Sequence, residues 1–251
     1  MLAAERRDFL LARLATDGKI VARDVADELG LSEDSVRRDL RDLASAGLVQ
    51  RVYGGALPVS PATANLAARA EISVDGKARV AASTLALIEP GMTVILDGGT
   101  TALAIAAALP VSLEATIVTH SPTVAARLID HSGIEIYLIG GRVFKHSAVT
   151  SGAAAAEAAM GINADLFFMG VTGVHSEAGL TTGDSDEAAM KRLLSRRAAD
   201  TWVLGSSEKI GAASSFVIVG FDEIAGVVTD AAADDPAVIA LRDRGVVVRL
   251  A

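Results

Sequence analysis

Beyond residue 76, short apolar runs alternate with amphipathic stretches, and this alternation narrows the possible fold more than any other property of the chain. The runs predict strands over 93–97, 115–119, 134–139, 166–169, 201–204, 226–229 and 246–250. Between them, the spacing predicts helices over 77–88, 101–109, 122–130, 153–160, 186–199 and 236–244. Strands joined through helices pair in parallel and need cover on both faces, so a mostly parallel α/β domain is expected. Such sheets bind ligands beyond the carboxyl ends of their strands. Composition agrees: 51% of residues are hydrophobic but only 4% aromatic, which calls for a core of Ala, Val, Leu and Ile.

The same numbers exclude several classes. A chain with this apolar fraction and 22% charged residues is not disordered. No stretch of about 18 residues runs free of charges or turn residues, so a membrane-spanning helix is not expected. The opening MLAAERRDFL places charges where a signal peptide needs an apolar run, and a cytoplasmic location is expected. The absence of cysteine rules out disulfides, thiolate zinc sites and a cysteine nucleophile.

The first 57 residues form a different pattern. Leu10, Leu11 and Leu14 mark one helix that ends at Asp17-Gly18, and Val25, Ala26 and Leu29 mark a second that stops at Gly30. Ser32 is placed to cap a third, with Glu33 and Asp34 in its first turn and Val36, Leu40 and Leu43 on its buried face. Residues 48–52 and 56–59 flank Tyr53-Gly54-Gly55 as a hairpin. Three helices and a wing predict a winged helix-turn-helix over 1–57. The small, polar SPATA at 60–64 falls in a linker over 58–75, and the α/β domain occupies 76–251. The net charge of −8 is the wrong sign for coating nucleic acid, but it is uneven. Residues 1–57 carry nine Lys/Arg against ten Asp/Glu, and the remainder carries fourteen against twenty-one.

In the third helix, Ser32, Ser35, Arg37, Arg38 and Arg41 can reach bases or phosphates from a major groove. Pairing of these arginines with Asp34, Asp39 and Asp42 is the plainer alternative. At the hairpin tip Arg51 suits a phosphate contact, while Tyr53 either flanks the minor groove or packs on the third helix. In the second domain, Asp97-Gly98-Gly99-Thr100-Thr101 leaves a strand and opens a helix. There glycines admit an anion, and first-turn amides and threonine hydroxyls can hold it. The dinucleotide and Walker patterns are absent, so no cofactor is expected and a phosphorylated small molecule fits better than NAD or ATP. Gly170 and Gly173 follow another strand. Gly141-Arg142 and Ser206–Lys209 are weaker candidates, and His120 is the one histidine that directly follows a strand. Glu187 and Lys191, at i and i+4, read on spacing alone as a surface pair worth about 0.2–0.5 kcal/mol, although at a pocket mouth they could grip sugar hydroxyls. The four histidines show no metal spacing, and neither GxSxG nor HExxH occurs.

SVRRDLRDL at 35–43, YGGA at 53–56, LDGGTT at 96–101, LIGGR at 138–142 and GLTTGDSDEAAMKR at 179–192 together resemble the DeoR family of bacterial transcriptional regulators. The resemblance implies a sensor domain of the ribose-5-phosphate isomerase type that answers to a phosphorylated sugar or related metabolite. By position it places Asp97, Gly99, Thr100 and Thr101 against that effector, with Gly170, Gly173, Glu187, Lys191 and Lys209 around it. Where many members read Thr-Asn-Ser this chain has Thr119-His120-Ser121, and Ser206 stands near where many have an aspartate. The expected protein is a homo-oligomeric, operator-binding repressor of a carbohydrate or nucleoside catabolic operon. The competing expectation is a sugar-phosphate isomerase or deaminase with an accessory module, using Glu187 or Asp97 as base.

Overall fold

The computed structural model describes residues 2–251. Helix α1 (Ala3–Asp17) leads through the short strand β1 (Ile20–Val21) into α2 (Ala22–Leu29) and α3 (Glu33–Ser45), then the wing strands β2 (Gln50–Val52) and β3 (Gly55–Leu57). Leu10, Leu14, Val25, Ala26, Val36, Leu40 and Leu43 close into one core, so the apolar spacing of all three helices points inward as expected. Ser32 caps α3, its hydroxyl accepting the Ser35 amide at 3.3 Å. Strand β1, too short to show a period, completes a three-stranded antiparallel sheet in the order β1-β3-β2. Gly55 permits that sheet: a Cβ there would stand 1.7 Å from the Ile20 carbonyl oxygen.

Residues 58–75 are more ordered than a linker composition suggests. They hold a 3-10 turn at Pro61–Thr63, helix α4 (Leu66–Ala70) and the start of α5 (Val74–Leu85). The chain continues through β4 (Thr93–Leu96), α6 (Thr100–Ala108), β5 (Ala115–Thr119), α7 (Pro122–Leu128), β6 (Ile134–Leu138), β7 (Arg142–Phe144), β8 (Val149–Ser151) and α8 (Ala153–Met160). It ends with β9 (Ala164–Gly170), β10 (Gly173–His175), β11 (Gly179–Thr182), α9 (Ser185–Ser195), β12 (Ala198–Leu204), β13 (Phe216–Val217), β14 (Gly226–Thr229), α10 (Pro236–Asp243) and β15 (Val248–Leu250). Seven strands form one wholly parallel sheet in the order β15-β14-β12-β9-β4-β5-β6.

Both faces of this sheet are buried, and the pleat sorts the side chains. On β9, Leu166 and Phe168 face a core shared with α5, α6 and α7, while Phe167 and Met169 face one shared with α8, α9 and α10. From β4 the chain builds outward through β5 to β6, then returns to set β9 on the opposite side of β4. The connections therefore diverge between β4 and β9, which opens a crevice at their carboxyl ends. Among the described residues, no helix is long and apolar enough to cross a membrane.

Candidate effector pocket and nucleic-acid interface

The crevice is occupied by a cavity of about 350 Å³. After β4, Gly99 takes a φ of 98°, a left-handed conformation that turns the chain directly into α6. Gly98, Gly99 and Thr100 line the cavity beside Gly170 from the end of β9. The first amides of a helix have no partner within it, so the start of α6 offers donors to an anion. Helix α9 supplies Glu187 and Lys191, positioned by Asp184, whose carboxylate caps the helix by accepting the Asp186 and Glu187 amides at 2.9 and 3.0 Å. Lys209 reaches in from the turn after β12.

Asp97 sits behind this surface, fully buried, and joins the two strands at the point of divergence. Its carboxylate accepts the Gly98 amide at 2.8 Å and the Gly170 amide at 2.7 Å, pairs with the Lys191 ammonium, and meets His120 Nε2 at 2.7 Å. Burial alone would raise this carboxyl, but Lys191 and His120 together outweigh it and hold it well below the usual carboxylate range. The other ring nitrogen of His120 lies 3.2 Å from the Thr150 carbonyl, so both nitrogens face oxygen acceptors. Lys209 donates to the Thr101 hydroxyl at 3.3 Å and the Leu204 carbonyl at 3.2 Å; burial pushes it down to about 8.

Of the thirteen residues expected around an effector, Gly98, Gly99, Thr100, Gly170, Glu187, Lys191 and Lys209 line the cavity. Asp97, Thr101 and His120 stand behind its wall as supports. Gly173 packs against the backbone of Ala212 and Ala213, Gly141 abuts Ala155 and Ser151, and Arg142 projects outward with its side chain 80% exposed. The surface-pair reading of Glu187 and Lys191 does not hold: they are 7% and 5% exposed, and Lys191 turns to Asp97. Thr172, Thr182 and Ser214 also line the cavity, as do Gln50 from the wing and Ala62, Thr63 and Arg69 from the connecting segment. Nothing in residue type or spacing marks those last four, because tertiary packing alone brings them there.

On the other module, α3 carries Arg37, Arg38 and Arg41 on its exposed side. Arg37 pairs with Glu33 at 2.6 Å. Two further carboxylates of α3 have other partners: Asp39 is buried against Arg6, whose second nitrogen lies at 3.1 Å, and Asp42 pairs with Arg7. The arginines of α1 thus occupy two of the three carboxylates, Asp39 and Asp42, that the arginines of α3 were alternatively expected to meet. Among the described residues Arg38, Arg41 and Arg51 have no salt-bridge partner. Tyr53 stands entirely in solvent at the wing tip rather than packed on α3.

A winged helix-turn-helix joined to an α/β domain with a polar crevice at its strand ends defines a ligand-responsive transcription regulator. Two family models match: the DeoR-like helix-turn-helix domain over residues 6–62 and the DeoR C terminal sensor domain over residues 72–231. The chain belongs to the DeoR family. It is 32% identical over 237 residues to the HTH-type transcriptional regulator GlpR of Haloferax volcanii, covering 93% of this chain and 92% of the relative. It is 30% identical over 232 residues to the HTH-type transcriptional repressor GlcR of Bacillus subtilis, covering 92% and 89%. Among solved structures, ribose 5-phosphate isomerase A of Methanocaldococcus jannaschii overlaps 54% of each chain with a TM-score of 0.41 at 18% identity, too slight a likeness to transfer chemistry.

Proposed function

We propose that this regulator is a cytoplasmic repressor of a carbohydrate or nucleoside catabolic operon, relieved or retuned by a phosphorylated sugar or related metabolite. Residues 1–57 form the DNA-binding module, 58–75 the connection, and 76–251 the sensor. The observation that carries the effector's class is the cavity itself, where the start of α6 and the ammonium groups of Lys191 and Lys209 meet at the strand divergence. Cations and helix amides favour a phosphate, and Glu187 beside them suits a sugar hydroxyl. Relatives named as regulators, and an Asp97 carboxylate committed to four internal partners rather than free as a base, support sensing over catalysis.

DNA contact is assigned to Ser32, Ser35, Arg37, Arg38, Arg41, Arg51 and Tyr53. One recognition helix reads few bases, so a homo-oligomer on paired half-sites is part of the proposal. A thermal-shift panel of sugar phosphates against the same sugars without phosphate tests the effector class. A ligand at a hundred times its dissociation constant stabilises the native state by about 2.7 kcal/mol. Stabilisation is expected only within the phosphorylated set; equal response to the unphosphorylated sugars would overturn the assignment.

A further inference from the structure

The cavity is not made by the sensor alone. Its wall includes Arg69 on α4, in the segment that joins the two modules. The Arg69 guanidinium lies beside the turn into α6: its Nη1 would be 3.7 Å from a Cβ placed on Gly99. Its Nε and Nη2 are shut off from solvent and have no hydrogen-bond partner. Unpartnered buried donors cost a fold free energy, and a charged group costs more than a neutral one. Burial lowers the Arg69 pKa, and the Glu187 and Asp97 carboxylates only partly offset this from a distance.

The other cations of the cavity are differently placed. Lys191 uses one of its three donors on Asp97, and Lys209 two of its three on Thr101 and the Leu204 carbonyl. Arg69 adds two donors with no protein partner, in a planar fork that matches two oxygens of a phosphate. Its helix is also tied down from both sides. The Lys77 ammonium donates to the Arg69 carbonyl at 2.5 Å and to the Ile72 carbonyl, and the Leu66 amide donates to the His146 carbonyl at 3.0 Å. Upstream, Val59 bridges to Ala213 in the sensor, two residues beyond the last wing strand.

We propose that Arg69 is the phosphate clamp of the effector pocket, contributed by the connecting segment, so that an anion bound against α6 also grips the chain leading to the DNA-binding module. This rests on the phosphorylated effector proposed above. It makes the connection part of the binding site: occupancy supplies the missing acceptors of Arg69 and fixes α4 and the turn before it against the sensor. A ligand changes DNA affinity only through such a difference between two arrangements of the protein.

The test uses the full chain, with inorganic phosphate and the sugar-phosphate panel as probes, in wild type, Arg69→Gln and Arg69→Lys. Affinity should fall roughly 10- to 100-fold in Arg69→Gln, the range for losing a charged hydrogen bond, and less in Arg69→Lys. Without ligand, Arg69→Gln should melt at or above the wild-type temperature, because it removes an unpartnered charge; a merely structural arginine would give the reverse. Phosphate should slow amide exchange over 61–72 in wild type but not in Arg69→Gln. Undiminished phosphate binding by Arg69→Gln, or a lower unliganded melting temperature together with failed binding in both variants, overturns the role of Arg69 while leaving the effector class standing. If the wild type binds no phosphorylated probe at all, the effector class falls, and the clamp with it.

Discussion

Asp97 and Lys209 are charges withdrawn from water for opposite ends. Asp97 has every acceptor position engaged, so Asp97→Asn leaves Lys191 buried without its counter-charge. Breaking a buried pair from one side costs about 3–5 kcal/mol, and a loss near the lower end is expected in urea unfolding, since the amide keeps an acceptor. A change under about 1 kcal/mol would show that the network is not a support. Because the folded carboxyl lies below its unfolded value, its contribution is complete above about pH 4 and is lost as the pH falls further. Lys209 runs the other way. Its folded value is lowered to about 8, so its charge burdens the unliganded fold below that pH, and the burden lifts as the pH rises toward the ordinary lysine range. In the proposed site a phosphate needs that charge. Sugar-phosphate affinity, measured by calorimetry, should therefore weaken above about pH 8, approaching tenfold per unit, and Lys209→Gln should bind weakly with no such slope. A wild-type affinity that stays flat up to about pH 9.5 would remove Lys209 from the phosphate site.

Helix α9 holds Glu187 and Lys191 in place only while its first turn is capped. Asp184→Ala removes an acceptor of two amides and should cost about 1–2 kcal/mol of stability, together with a measurable loss of effector affinity. Loss of stability without loss of affinity would separate the helix from the site. The elements that built the parallel sheet could be read from residue periods, because strands buried on both faces are nearly continuous apolar runs. Elements whose reason is long-range pairing could not. Strand β1 has two residues and exists because β3 lies beside it. The β7–β8 hairpin pairs within itself, and the β10–β11 hairpin within itself, with β13 through β11, and by a bridge from Val174 to Ile210. Residues 198–199, which continue the helical spacing of α9, instead begin β12, since register with Ala164 on β9 outweighs local propensity. The site divides in the same way: glycines and threonines at strand ends mark themselves, whereas Arg69 lies in a stretch whose composition reads as a joint.

Across the whole molecule, charge and contact answer the question raised by a net charge of −8 on a DNA-binding protein. The acidity lies with the sensor, and the arginines of α1 take up carboxylates of α3, so Arg38 and Arg41 face outward without salt-bridge partners among the described residues. Random duplex DNA should be held weakly, with a dissociation constant of about 10⁻⁴ M at physiological salt; binding below about 10⁻⁶ M by fluorescence anisotropy would mean a broader basic face than α3 and the wing supply. The winged helix-turn-helix and the α/β domain also meet directly, through Gln50 of the wing at the cavity and through Lys19, just before β1, and Glu177 at 3.7 Å. The proposed effector pocket therefore touches the wing itself. The most direct measurement is anisotropy of the full chain on its operator, selected from genomic fragments, with and without the sugar phosphate that stabilises it. Arg38→Ala should cost about 1–3 kcal/mol on that operator if it reads a base. The sugar phosphate should change wild-type affinity at least about fivefold, the lower range of coupling between two sites. Unchanged affinity with the pocket saturated would contradict the linkage of effector pocket to DNA.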